Sequence, residues 1–207
     1  MAQHPISKGK LAERVTRALQ AGKILVENRV TKRDAALAVA QARDQAILEA
    51  FMQRKSVMEH TMPFDFLVEK VVSAKKEKNN HIATLPTRGL SLLSHNQGIF
   101  LVTLEKDPTQ EIYPVTNSHI TMFRGQPALD MENEMFYSPF QQKLRIYGLE
   151  SDECNLIVQY VQAGEDFDND EFFCIPPELQ DTVVNKAVQM LAPQLGEEDT
   201  ITDAKNP

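Results

Sequence analysis

The sequence predicts an α+β protein: N-terminal helices, then an antiparallel β-sandwich or small barrel, then one closing C-terminal helix. Three observations carry this expectation. Residues 31–55 are Ala-rich and contain neither Gly nor Pro, which suits a long helix. From residue 81 the texture shifts to short β-favouring runs separated by turn residues at a spacing of about ten, the pattern of a sandwich or small barrel. After Pro176 and Pro177 an apolar stripe returns at helical spacing. The expected organisation is therefore a helical region over 1–80 and a β-rich domain over 81–175. A closing helix over 176–192 packs on the β domain, and a flexible acidic tail covers 193–207.

Taken in order, Leu11, Val15 and Leu19 fall at i, i+4 and i+8 and predict one helical stripe between about residues 7 and 27, with Gly22 interrupting the pattern. Thr31 and Asp34 then stand in a capping-box arrangement, in which the threonine oxygen accepts an orphan N–H at a helix start. In the helix that follows, Leu37, Ala40, Ile47, Leu48 and Phe51 are expected to bury, while Arg43, Asp44 and Arg54 face elsewhere. A shorter helix is expected in "MPFDFLVEKVVSAKKEK", with Pro63 in its first turn and lysines near its end.

The strand candidates are "GIFLVTLE", "EIYPVT", "HITMFRG", "EMFYS", "KLRIYG", "NLIVQYVQ" and "EFFCI". Pro114 lacks a backbone donor and places "EIYPVT" at an edge or bulge. "SPFQQ" reads as a hairpin connection. Ile175 and Pro176 each precede a proline and are pushed extended, so the last helix begins at Pro177. Its stripe is Leu179, Val183, Ala187, Val188 and Leu191, opposite Gln180, Asp181, Asn185 and Gln189. Burying its two leucines and two valines contributes about 6 to 12 kcal/mol as an upper figure. Pro193 and Gly196 are expected to stop it.

The chain has 207 residues, 42% hydrophobic and 25% charged, which is ordinary globular composition. Its start, "MAQHPISKGKLAERV", has no apolar signal core, and no run of eighteen apolar residues occurs, so a soluble protein made in the cytoplasm is expected. Net charge is −7, unevenly placed: residues 1–80 hold fifteen Lys and Arg against nine Asp and Glu, the rest seven against twenty. The basic residues are interleaved with acids, as on solvated helices, which argues against sequence-specific nucleic-acid readout. A charge asymmetry of this kind suits subunits that pack a basic flank against an acidic one.

Chemistry-bearing motifs are few. Asp166, Asp168 and Asp170 begin like a calcium loop, but the sixth position is Glu171 where glycine is required and the twelfth is Pro177 where glutamate is required. His4, His60, His81, His95 and His119 have no i, i+4 pairing, and Cys154 and Cys174 have no C-x-x-C spacing, so no metal site is expected. Phosphate-loop, dinucleotide and nucleophile-elbow motifs are missing. Glu132 and Glu134 read as a solvated strand edge. No catalytic residue, cofactor or metal is expected, and the absence of tryptophan with 7% aromatic content weighs against a sugar-stacking surface.

The order and spacing of several elements carry a resemblance. These are the Ala/Arg-rich segment Arg33 to Ile47, then Thr84 to Pro86, Leu90 to Leu92, Asn96 to Ile99 and Pro114 to Asn117. The acidic loop Glu165 to Glu171 and Ile175 to Leu179 before the terminal helix complete the set. Together they resemble, over most of residues 32–191, a family of virion proteins from crAss-like and related tailed phages of Bacteroidetes hosts. Where that family often has glycine after Asn117, this chain has Ser118 and His119. The order of helices, β domain and closing helix is also similar to podovirus tail adaptors, at the level of architecture.

The resemblance implies a ring-forming neck, or head-to-tail connector, protein between portal and tail, made in the host cytoplasm and located in the virion. It implies a twelve-fold homo-oligomer whose partners are its own copies, the portal and other neck or tail proteins, with packaged DNA met only non-specifically. The residues expected to contribute inter-subunit contacts are Arg14, Arg17, Arg29, Lys32 and Arg33. The alternative expectation is a monomeric β-domain binding module or decoration protein.

Overall fold

The structure, a computed structural model, describes residues 6–20, 30–55, 66–77, 80–90, 93, 98–115, 134–149 and 151–196. The chain folds as two units. One is helical and takes both ends of the chain, Met1–Phe66 with Ala163–Pro207; the other is the β unit Leu67–Gln162. The boundaries expected at 80 and 175 are corrected accordingly.

The first correction arises where the shorter helix was expected. Val68–Glu77 is strand β1, and along it Val72 and Ala74 are buried while Val71 and Ser73 face out. That alternation has period two, and adjacent β-branched Val71 and Val72 suit a pleated surface better than a helix. The local helix signal of the lysines loses to a ladder that pairs β1 on both sides, and Pro63 lies outside the described residues. The β unit continues with β2 (Asn80–Thr84), β3 (Ile99–Leu104), β4 (Tyr113–Pro114), β5 (Phe136–Phe140), β6 (Lys143–Tyr147) and β7 (Glu153–Tyr160). β2 begins inside the stretch assigned to the helical region and was not among the expected strands.

The strand order is β3-β7-β1-β2-β6-β5-β4. Neighbours are antiparallel except β4 and β5, which are parallel, so the sheet is mixed where an antiparallel one was expected. β4 is the last strand of that order, as Pro114 requires, and just before it Ile112 N–H donates to the Val102 carbonyl of β3 at 2.8 Å. A bridge between Thr103 and Glu111 adds to this contact, so the two ends of the sheet nearly meet and the unit is almost a closed small barrel. Its interior is filled by side chains such as Val72, Ile99, Val102, Leu144, Ile146, Leu156 and Val158. The hairpin at "SPFQQ" is present: β5 and β6 join through Gln141 and Gln142, with Gln141 in the left-handed region at φ 56°. "HITMFRG" lies outside the described residues. "EFFCI" is not a strand; Phe172 makes a single bridge with Ser7.

In the helical unit α1 (Lys8–Gln20) buries the expected Leu11, Val15 and Leu19. α2 (Lys32–Lys55) starts on the expected cap: Thr31 Oγ1 accepts the Asp34 N–H at 3.2 Å and Asp34 Oδ2 accepts the Thr31 N–H at 2.9 Å. α3 (Pro177–Gly196) begins at Pro177 as expected and buries Val183, Val184, Ala187 and Leu191, while Asp181, Asn185 and Gln189 stay exposed. Its packing partners are α1 and α2, which corrects the expectation that it packs on the β domain. The physical reason is that α1 and α2 each carry an apolar face that one helical partner cannot cover, and the stripe of α3 completes the core. Pro193 does not stop this helix but lies inside it.

Candidate functional site

α2 is the central element of the helical unit. α1, α3 and a 3-10 turn, Gly164–Asp166, all pack on it. Packing on several sides explains its alanines: Ala35, Ala38, Ala40, Ala42 and Ala46 are all buried, and short side chains let neighbouring backbones approach. At Gly164 the approach is closest, since an added Cβ would stand 2.6 Å from the Ala40 carbonyl oxygen.

This crowding reverses two expected orientations on α2. Arg43 is 0% exposed, whereas Leu37 is 46% exposed. Arg43 Nε donates to the Cys174 carbonyl at 3.0 Å and its Nη1 pairs with Asp44 Oδ1 at 2.9 Å. The guanidinium lies over the rings of Phe167 and Phe173, 4.9 and 5.1 Å from their centroids, and the two rings meet edge to face. Asp44 in turn accepts the Gly164 N–H at 3.0 Å. Burial pulls the Arg43 guanidinium below its ordinary value and pushes the Asp44 carboxyl up, the latter offset in part by Arg43 and by the Gly164 N–H. The cluster ties the segment 163–174 to α2. That segment supplies Glu165 and Asn169 to the surface beside it.

That surface is a groove of about 380 Å³ over the first turns of α2. Ala36, Leu37 and Ala40 line its apolar part, Lys8, Lys32 and Arg33 supply cations, and Glu165 and Asn169 close the far side. Lys8 is buried and its ammonium donates to the Phe167 carbonyl; Gly9 N–H donates to the Asn169 carbonyl at 2.8 Å. Desolvation holds the Lys8 ammonium below the usual lysine range, against the pull of Asp168, Glu171, Asp166 and Glu165. Asp166, Asp168 and Asp170 thus belong to a loop fastened to the start of α1. Among the described residues no group of three or more His, Cys, Asp or Glu side chains is placed to hold a metal ion.

Of the five residues expected at inter-subunit contacts, the structure brings Lys32 and Arg33 together at this groove. Arg14 pairs within its own chain with Asp181 of α3 at 2.5 Å, and Arg17 lies one turn from Glu13 at 3.8 Å. Arg29 lies outside the described residues. The groove residues that sequence reasoning missed are Lys8, Ala36, Leu37, Glu165 and Asn169. The i, i+4 row Arg33, Leu37, Gln41, Gln45, Glu49 contained a signal for Leu37, because its other members are polar.

A second concavity, of about 490 Å³, opens at the end of the barrel where β2 ends, β3 starts and the β5–β6 hairpin turns. Leu85, Ile99 and Phe140 are its apolar residues, and Arg88, Gln141 and Gln142 its polar ones. Elsewhere in this unit buried His81 meets the Ser151 carbonyl at 2.7 Å, a structural contact. Both cysteines are free thiols. No helix among the described residues is long and apolar enough to cross a membrane. No protein-family model matches this chain, and no curated protein matches it.

Proposed function

We propose that the chain is a virion structural subunit that forms an oligomeric ring in a phage neck, between portal and tail and around the DNA channel. The observation that carries this reading is the groove on α2, where a half-exposed leucine lies beside cations. An apolar contact ringed by charge suits recognition of a protein surface. The ordered resemblance over residues 32–191 supports the same class of function and supplies the location in the virion. A ring needs a heterologous contact, one flank of each copy meeting a different flank of the next. The uneven charge of the chain supports such a contact, and no catalytic residue is required.

The test is native mass spectrometry and electron microscopy of the full chain, alone and with portal. Closed rings of one copy number, or incorporation into portal complexes, is the expected result. A chain that stays monomeric at all concentrations and does not bind portal overturns the reading. The barrel-end concavity favours a second reading, a monomeric β-domain binding module, and that monomeric outcome is the one it predicts.

A further inference from the structure

The groove and the carboxyl end of α3 lie at opposite ends of the helical unit. Two contacts fix the direction of α3 along α2: Arg43 Nε meets the Cys174 carbonyl at 3.0 Å, and Lys186 pairs with Glu49 at 2.7 Å. α3 therefore advances in the same direction as α2, away from Lys32 and Arg33. At about 1.5 Å per residue, the path from Arg33 to Glu49 and on from Lys186 to Gly196 is about 39 Å. Beyond Gly196 the sequence reads "EEDTITD", four carboxylates with no cation and one apolar residue, Ile201. Seven residues reach at most about 25 Å, less than that path.

Its chemistry nevertheless matches that groove. In an extended strand Asp199, Ile201 and Asp203 share one face, at about 6.6 Å intervals. On α2, Arg33 and Leu37 share one face at about 6 Å along the axis, with Lys32, Ala36 and Ala40 beside them. Lys32 and Arg33 are exposed in the first turn of α2, where the helix dipole disfavours cations, so helix stability does not account for them.

We infer that residues 197–203 of one copy dock in the α2 groove of the next, with Ile201 on Ala36, Leu37 and Ala40 and the carboxylates on its amino-terminal side, Glu197, Glu198 and Asp199, against Lys32 and Arg33. This inference rests on the proposed self-association and identifies its donor and acceptor surfaces. The contact is heterologous, since groove and tail are different segments of the chain, and it repeats head to tail.

The test uses full-length chains that each carry one added cysteine, Leu37→Cys or Ile201→Cys, mixed and treated with a short bis-maleimide. Wild type mixed with each single variant sets the background from Cys154 and Cys174. Cross-linked mixed dimers well above that background are expected. Lys32→Asp with Arg33→Asp in the groove chain should lower their yield at least tenfold, and Glu198→Lys with Asp199→Lys in the tail chain should restore it. Oligomers that form without this cross-link overturn the docking inference and leave the ring reading standing. A chain that carries both Leu37→Cys and Ile201→Cys is the remaining control, and cross-links confined within that single chain also overturn the inference, by showing that the tail reaches its own groove. A chain that never associates, with itself or with portal, overturns both.

Discussion

Replacing Arg43 with alanine tests the centre of the helical unit most directly. The wild-type guanidinium is fully buried, bonded to the Cys174 carbonyl and Asp44, and covered by Phe167 and Phe173. Arg43→Ala leaves the Asp44 carboxylate without its cation, removes the donor to Cys174 and empties the space between the two rings. Breaking a buried pair by removing one partner costs about 3–5 kcal/mol, and the vacated volume adds to it. Asp44→Ala added to Arg43→Ala should cost less than the sum of the two single changes, with a coupling of about 0.5–3 kcal/mol.

The loss also depends on pH. Burial already raises the Asp44 carboxyl, and Arg43, together with the Gly164 N–H, opposes that rise. In Arg43→Ala the folded-state value therefore stands further above the unfolded one, so the folded state holds the proton more tightly. Stability of the variant then falls as pH rises from the ordinary carboxylate range toward neutrality, and its deficit relative to wild type is smaller at acid pH. The assay is urea unfolding followed by circular dichroism at 222 nm for the helices. Tyrosine fluorescence reports separately on the β unit, which holds all four tyrosines. A loss below about 1 kcal/mol at neutral pH would refute the reasoning, because that is the range of an exposed residue.

Three further outcomes follow from the packing. Gly164→Ala, whose Cβ would stand 2.6 Å from the Ala40 carbonyl oxygen, should cost about 1–3 kcal/mol in urea unfolding, and a neutral result would mean that the 3-10 turn moves freely away from α2. Val183→Asp places a carboxylate in the helical core and should cost on the order of 4 kcal/mol, whereas Gln189→Asp on the exposed face should do little; equal melting temperatures would show that the wrong face of α3 is inward. Thr31→Ala should cost about 1 kcal/mol through loss of the cap. Bonds from Thr31 hold the Asp34 carboxyl below its ordinary value, so its contribution is present above the usual carboxylate range and is lost as pH falls through the depressed value; a wild-type acid transition unchanged in Asp34→Asn would count against that cap.

What could be read from the sequence alone was whatever depends on near neighbours in the chain. The cap at Thr31 and Asp34, the stripe of Leu11, Val15 and Leu19, the start of the last helix at Pro177 and the hairpin at Gln141 are all local. Each follows from the stereochemistry of a few adjacent residues, and each is present. Pro114 at a sheet edge follows equally from a missing donor.

Only the tertiary structure decided which surfaces meet. Val68–Glu77 became a strand because β2 and β7 flank it, and the residues it pairs with lie between 3 positions away (Glu77 with Asn80) and 92 positions away (Val68 with Tyr160). The last helix joined α1 and α2 because both chain ends build one core, with the β unit between them in sequence. Arg43 went inside and Leu37 outside for a related reason. Cys174, Phe167 and Phe173 surround Arg43 from more than a hundred residues away, and a stripe read along one helix shows which residues share a face but not what lies opposite it. The same limit hid most of the groove, because Lys8, Glu165 and Asn169 reach it from two other segments. Helical periodicity fixes the angle between side chains, while long-range packing fixes which angle points to solvent.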